Sequence, residues 1–203
     1  MTQKTTKINL GFAEVEIPVG THICQIYNDE DERNDALLHF LASGLKARER
    51  NACFSEQIDN EKLRQLLAED GIDLDQARAK NDLITAVPSE VYFHQGRFEP
   101  ERMLNLLATF HNDAKQEGYP AARVIGEMTS EIQKVPGGSR LFEYEAAVNQ
   151  LLKKYPVTAV CQYDAHVFDG ATIMDVMRVH PMMLVRGNVI HNPFYVPAQE
   201  ILH

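Results

Sequence analysis

The sequence predicts an α/β fold: a mostly parallel sheet covered by helices on both faces, with a C-terminal antiparallel hairpin. Three observations carry that expectation. Short runs rich in β-branched and aromatic residues alternate with helical stretches of about 10 to 17 residues, the rhythm of βαβ units. Val157 to Tyr163 is the most apolar of the strands, as suits a sheet buried on both faces. Gly187-Asn188 separates two strand-like runs, Met182 to Arg186 and Val189 to His191, and reads as a two-residue hairpin turn.

The elements follow in order. Ile8 to Ile17 offers a further strand. His22 to Tyr27 is a strand by composition, and Asn28 stands where it would cap the following helix. Leu37, Leu38, Leu41 and Leu45 form that helix's apolar stripe. Asn51 to Ser55 is a short strand. A helix over Glu61 to Glu69 ends at Gly71, and Leu83 to Val87 is a strand stopped by Pro88. Pro100 sits where a helix begins. Met103, Leu106, Leu107, Phe110 and Ala114 follow at helical spacing, and Gly118 closes the helix. Arg123 to Met128 is a strand. Ser139 is placed to cap a helix carrying Leu141, Tyr144, Val148, Leu151 and Leu152, which stops before Pro156. Asp169-Gly170 reads as a turn and cap for a short helix near Thr172 to Arg178. His180-Pro181 ends it, because the residue before proline resists helical geometry. No repeat or linker interrupts the chain. The expected organisation is an N-terminal extension over 1–19 and a single domain over 20–203.

Composition excludes several classes. Apolar residues make up 44% and charged residues 24% of 203, an ordinary globular balance. No apolar run approaches the roughly 18 residues that cross a bilayer, and the first residues carry no signal-peptide stretch. A cytoplasmic location and no membrane contact are expected. The net charge is −9 with scattered lysine and arginine, so no direct nucleic-acid contact is expected. Cys24, Cys53 and Cys161 are too few and unevenly spaced for a disulfide framework or a CxxC site.

Several segments carry a family resemblance. Gly20-Thr21-His22-Ile23-Cys24-Gln25-Ile26-Tyr27 resembles the opening motif of the MEDS family, the methanogen/methylotroph, DcmR sensory domain. Further matches lie in order along the chain. They are Gly96-Arg97-Phe98-Glu99-Pro100-Glu101, Arg123 to Met128, Glu143-Tyr144-Glu145 with Asn149, Cys161-Gln162-Tyr163-Asp164, and His180-Pro181. Thr129 and Ser130 depart from the family, which often carries an aromatic there. The segment from Gly20 to Glu56 also resembles the start of a KaiC- or RecA-like ATPase core. The resemblance implies a KaiC/RecA-like sheet and a sensory module responding to small hydrocarbon derivatives. It also implies a signalling partner in trans, a kinase or transcription regulator. Because RecA-like proteins form rings, self-association is implied too.

The loop Asn28 to Asp35 argues against ATP hydrolysis. A phosphate loop needs glycines, a lysine and a hydroxyl; this one has none of them and five acidic side chains. At a helix N-terminus those acids suit the helix dipole but repel a polyphosphate. Helix capping is the preferred reading over a cation site, because the loop lacks EF-hand glycine spacing.

Candidate ligand-binding residues follow from placement. In open α/β sheets, ligands collect at the carboxyl ends of strands; Tyr27, Glu56, Glu127 and Asp164 lie near such ends. A small, largely apolar ligand is expected among Tyr27, Glu127, Tyr163 and Asp164. His22 and Cys24 share one strand face, as do Cys161 and Tyr163. Tyr144, Asn149 and His180 complete the set. Each has a bland alternative: buried cysteine, a hydrogen-bonded core histidine, the polar edge of an amphipathic helix. Thiolate and imidazole from His22, Cys24, Cys161 and His180 would suit zinc or iron. Nothing in their spacing demands a metal, so no metal, cofactor or catalytic residue is expected. Two rivals to the sensor stay open: an adaptor acting by protein–protein contact, and a thiol or metal redox sensor. An enzyme ranks last, because no catalytic constellation is recognisable.

Overall fold

The computed structural model describes residues 6–12 and 15–201. Met1 to Thr5, Ala13, Glu14, Leu202 and His203 lie outside the described residues, and with them part of the expected extension and domain ends.

Two short strands, β1 (Lys7–Asn9) and β2 (Glu16–Pro18), pair antiparallel with Ile8 opposite Ile17. Then β3 (His22–Tyr27), α1 (Glu30–Lys46) and β4 (Arg50–Phe54) form the first crossover unit. Helices α2 (Asn60–Ala68) and α3 (Leu74–Ala79) lead to β5 (Leu83–Ala86). Helix α4 (Pro88–Tyr92) and a ribbon of β6 (Phe93–His94) and β7 (Arg97–Phe98) precede α5 (Pro100–Gln116) and β8 (Ala122–Glu127). Two 3₁₀ turns enter α6 (Leu141–Lys154), followed by β9 (Val157–Asp164) and α7 (Gly170–Val179). The chain ends in β10 (Met182–Val185), β11 (Asn188–His191) and α8 (Ala198–Ile201).

The seven-stranded sheet has the order β11-β10-β3-β9-β8-β4-β5. Every neighbouring pair is parallel except β10 with β11. The expected parallel sheet and terminal hairpin are therefore both present, but the two-residue turn is Arg186-Gly187, both at positive φ, and not Gly187-Asn188, because Asn188 already pairs with Val185. Strand alternation divides the core. Ile23, Cys53, Ile125 and Val160 pack beneath α1, α2 and α3, together with Ile8, Leu10 and Ile17 of the N-terminal ribbon. Cys24, Ala52, Val124, Ala159 and Tyr163 face the other way, toward α5, α6 and α7.

The helix punctuation holds with two corrections. Asp29, not Asn28, caps α1: its backbone is extended, and its carboxylate accepts from the amides of Asp31 and Glu32. Ser139 caps nothing, because it lies inside the 3₁₀ turn Gly138–Arg140, and α6 starts without a side-chain cap. Pro88 does more than stop a strand; it occupies the first turn of α4.

One buried ion pair ties the α1 face together. Arg123 is fully buried and pairs with Glu49, itself only 4% exposed. It also donates to the carbonyls of Phe40 and Asn9 and to Ser43 Oγ. Gly44 leaves room for it: a Cβ there would lie 2.7 Å from Arg123 Cδ.

Candidate functional site

The expected site residues fall into two groups on opposite faces of the sheet. On the α1 face, the carboxyl ends of β4 and β8 and the start of α1 open a cleft of about 620 Å³. Glu56 and Glu127 line it. Arg33 crosses its floor, donating to Glu30 Oε2 at 2.7 Å and to Ser55 Oγ at 3.3 Å, with Glu127 Oε2 at 3.8 Å. Glu127 Oε2 also accepts from Ser55 Oγ at 2.9 Å and the Glu56 amide at 3.3 Å. Tyr27 lies buried under the Arg33 guanidinium, and burial raises its phenol pKa. Asp164 sits opposite Tyr27 in register and accepts from the amide and ring of His166. Glu30, Asp31, Glu56, Asp59 and Glu127 set five carboxylates around Arg33.

Tyr163 is absent from this cleft. Successive strand residues point to opposite faces, so Tyr163 and Asp164 cannot bound one pocket. The expected quartet of Tyr27, Glu127, Tyr163 and Asp164 is therefore not brought together.

On the other face, four elements deliver polar side chains to one buried point. They are His22 from β3, Cys161 and Tyr163 from β9, Glu145 and Asn149 from α6, and His180 from the end of α7. Adjacent parallel strands put His22 beside Ala159 and Cys24 beside Cys161. Pro181 holds His180 extended (φ −104, ψ 118), which ends α7 and turns the imidazole inward.

Glu145 is the centre. It is 1% exposed. Its Oε1 accepts from the Tyr163 hydroxyl at 2.5 Å. Its Oε2 lies 3.3 Å from His22 Nε2, 3.7 Å from His180 Nε2 and 3.9 Å from Cys161 Sγ. Cys161 Sγ is 3.4 Å from His22 Nε2. Burial opposes ionisation of Glu145, but the His22 contact, the two imidazoles and Tyr163 outweigh it and hold the carboxyl below its ordinary range. Burial and then His22 push the His180 pKa down to about 3, so its ring is neutral. Burial and the nearby carboxylate push the Cys161 and Tyr163 pKa values up.

Both imidazoles are oriented by their outer nitrogens. Asn149 Nδ2 donates to the carbonyls of Val179 (2.6 Å) and Glu145 (3.3 Å). Its Oδ1 is thereby turned to accept from His22 Nδ1 at 3.2 Å. His180 Nδ1 donates to the Val176 carbonyl at 2.8 Å. Both Nε2 atoms thus face Glu145.

A small cavity of about 30 Å³ abuts the cluster. Phe54, Tyr92, Met103, Tyr144 and Val148 line it, with His22 and Cys161 on one wall. Two outer clefts reach the same cluster. One of about 270 Å³ touches Glu145 past Phe142 and Val176; another of about 680 Å³ touches His22 and Asn149 past Met182 and Tyr195. Cys24 is buried beside the cluster, and burial pushes its thiol up to about 12. It is not among the donor atoms that converge.

Glu145 was not among the expected site residues. Its signal lay in its place on the buried stripe of α6, with Leu141, Val148 and Leu152.

Fold and site together define a KaiC-like α/β domain with a buried polar centre. The KaiC-like protein of the hyperthermophilic archaeon Pyrococcus horikoshii OT3 superposes with a TM-score of 0.58 at 13% identity, over 88% of this chain and 79% of that one. That likeness establishes the fold. The chain belongs to the MEDS family, the MEthanogen/methylotroph, DcmR Sensory domain, whose pattern matches residues 21–181. Its role is accordingly sensory. It is also similar to the transcriptional repressor DcmR of Methylorubrum extorquens (strain DSM 6343 / CIP 106787 / DM4), 27% identical over 171 residues. The match covers 83% of this chain and 61% of that relative, so the chain spans about three-fifths of its length. Among the described residues, no helix is long and apolar enough to cross a membrane.

Proposed function

We propose that this domain is a non-catalytic sensor of a small apolar molecule, a hydrocarbon derivative of a few heavy atoms. The molecule enters the cavity beside Cys161 and His22, and its presence is relayed to a signalling protein, a kinase or a transcription regulator. The cavity itself carries the reading. Its aromatic and aliphatic walls suit an apolar guest, and its size suits one of a few heavy atoms.

The cavity also supplies a route for the signal. Met103 and Leu107 belong to α5, and Tyr144 and Val148 to α6. A guest that favours one spacing of these helices on the sheet shifts the population toward it. The family's sensory character and the relative's role as a repressor support this direction. The strand-end cleft supports it negatively: its five carboxylates and the glycine-free loop after β3 are poor ground for a polyphosphate. We read that loop as a degenerate phosphate loop.

Saturation-transfer NMR with a panel of short haloalkanes and alcohols tests the proposal. At least one compound should give a signal that disappears in Ala159→Met, which fills the cavity. No signal from the folded wild type with any compound at ~10 mM, a concentration above the affinity such small ligands reach, would sink it.

A further inference from the structure

The geometry points to a metal site: His22 Nε2, His180 Nε2, Cys161 Sγ and Glu145 Oε2 hold one divalent transition ion of the zinc type. It stands whether or not a small molecule enters the neighbouring cavity.

His180 Nδ1 donates its hydrogen to the Val176 carbonyl, which can only accept, and this turns Nε2 toward Glu145. That Nε2 is fully buried and has no hydrogen-bond partner. His22 Nδ1 donates to the Asn149 carbonyl oxygen, which turns its Nε2 toward Glu145 and Cys161. Two ring nitrogens, a thiol and a carboxylate oxygen thus converge on one buried point. A cation between them compensates the buried carboxylate and partners the orphaned His180 Nε2.

Distances agree with one ion. Metal–ligand lengths of about 2.0–2.3 Å place the corners of a tetrahedron roughly 3.3–3.7 Å apart. Four of the six separations are 3.3, 3.4, 3.7 and 3.9 Å, and binding would draw His180 toward the other ligands. All four donor atoms lie within 4.8 Å of one another.

Orientation agrees too. Metal-bound histidines donate their other ring nitrogen to a carbonyl or carboxylate, which fixes the ring. Val176 O and Asn149 Oδ1 do this here, and Tyr163 steadies the free oxygen of Glu145. Two imidazoles, a thiol and a carboxylate suit zinc over calcium or magnesium, which want oxygen alone. Binding converts the Cys161 thiol to thiolate and releases its proton to solvent. The clefts that touch Glu145 and His22 give the ion a path in.

The test is metal analysis of the full chain after chelation and reloading with Zn²⁺ or Co²⁺. One equivalent should be retained. The Co²⁺ form should show intense tetrahedral visible bands and a thiolate-to-cobalt band in the near ultraviolet. X-ray absorption of the Zn²⁺ form should show one sulfur at about 2.3 Å with nitrogen and oxygen at about 2.0–2.2 Å. Cys161→Ser should abolish the thiolate band, while Cys24→Ser and Cys53→Ser keep it. Asn149→Ala, which frees His22 Nδ1, should weaken binding by about 10- to 100-fold. Folded wild type that retains no metal, or a bound ion without sulfur, overturns the site. Both readouts use the wild type, so an unstable variant does not spare the proposal.

Discussion

Replacing Val148 with alanine enlarges the proposed cavity, and the outcome can be worked out beforehand. Val148 is 2% exposed and lines the cavity from α6. Two buried methyl-sized groups are lost, at about 0.8 kcal/mol each. The added void costs more in proportion to its volume, so the total should be about 2–3 kcal/mol. Ligand size should respond. In the wild type, a guest of about three heavy atoms at the ceiling of about 1.5 kcal/mol per atom gains about 4.5 kcal/mol, a Kd near 0.5 mM. In Val148→Ala the best ligand should be about two heavy atoms larger and tighter, and it should recover part of the lost stability by mass action. Urea unfolding with and without each of a homologous series of ligands measures both effects. A variant destabilised as stated whose preferred ligand size is unchanged would refute the cavity as the binding place. So would a three-atom ligand binding the wild type tighter than about 10 µM, which exceeds that ceiling.

Three further outcomes are expected. Arg123→Met should lose about 3–5 kcal/mol, because it strands the buried Glu49 carboxylate and removes one donor each from Ser43 Oγ and the Phe40 and Asn9 carbonyls; the double variant with Glu49→Met should recover much of it. Burial already raises the Glu49 pKa against the pull of Arg123. A raised carboxyl costs stability above its ordinary 4.5 and not below it, so the single variant's deficit should shrink in denaturation curves recorded under that pH. Cys24 and Cys53, with thiols pushed up to about 12 by burial, should resist a thiol reagent at pH 8 until the protein is unfolded; rapid labelling of either in the native state would revive the redox-sensor reading. Gly126→Ala would place a Cβ 2.5 Å from the Tyr92 hydroxyl, driving that ring into the cavity. It should cost about 1–3 kcal/mol and abolish ligand binding in the NMR assay.

Much of the fold is written in local chemistry. Pro100 opens α5, Asp169 caps α7 and Gly118 closes α5 in a left-handed conformation (φ +85). These signals need only their neighbours. The site is different, because it is assembled from residues far apart in the chain. His22 and Cys161 are 139 positions apart and meet only through β3–β9 pairing. Their pairing with Asn149 and His180 is legible as a set of residue types, whereas their convergence is not. Glu145 is a different case: its spacing with Leu141, Val148 and Leu152 turns it toward the core, but what it meets there is set by tertiary packing alone. Arg123 is the same case, an arginine on a central strand whose partner Glu49 lies 74 positions away. Conversely, the separation of Tyr163 from Asp164 follows from strand alternation alone.

Methionine methyl NMR tests the central claim most directly. Met103 lines the cavity, Met182 lines the outer cleft beside His22, and among the described residues no methionine lines the strand-end cleft. With ¹³C-methyl-labelled protein and a ligand found in the panel, the account predicts a saturable shift of the Met103 resonance and little change at Met182. Saturable shifts at Met182 with Met103 unmoved would place the ligand in the outer cleft and contradict the account.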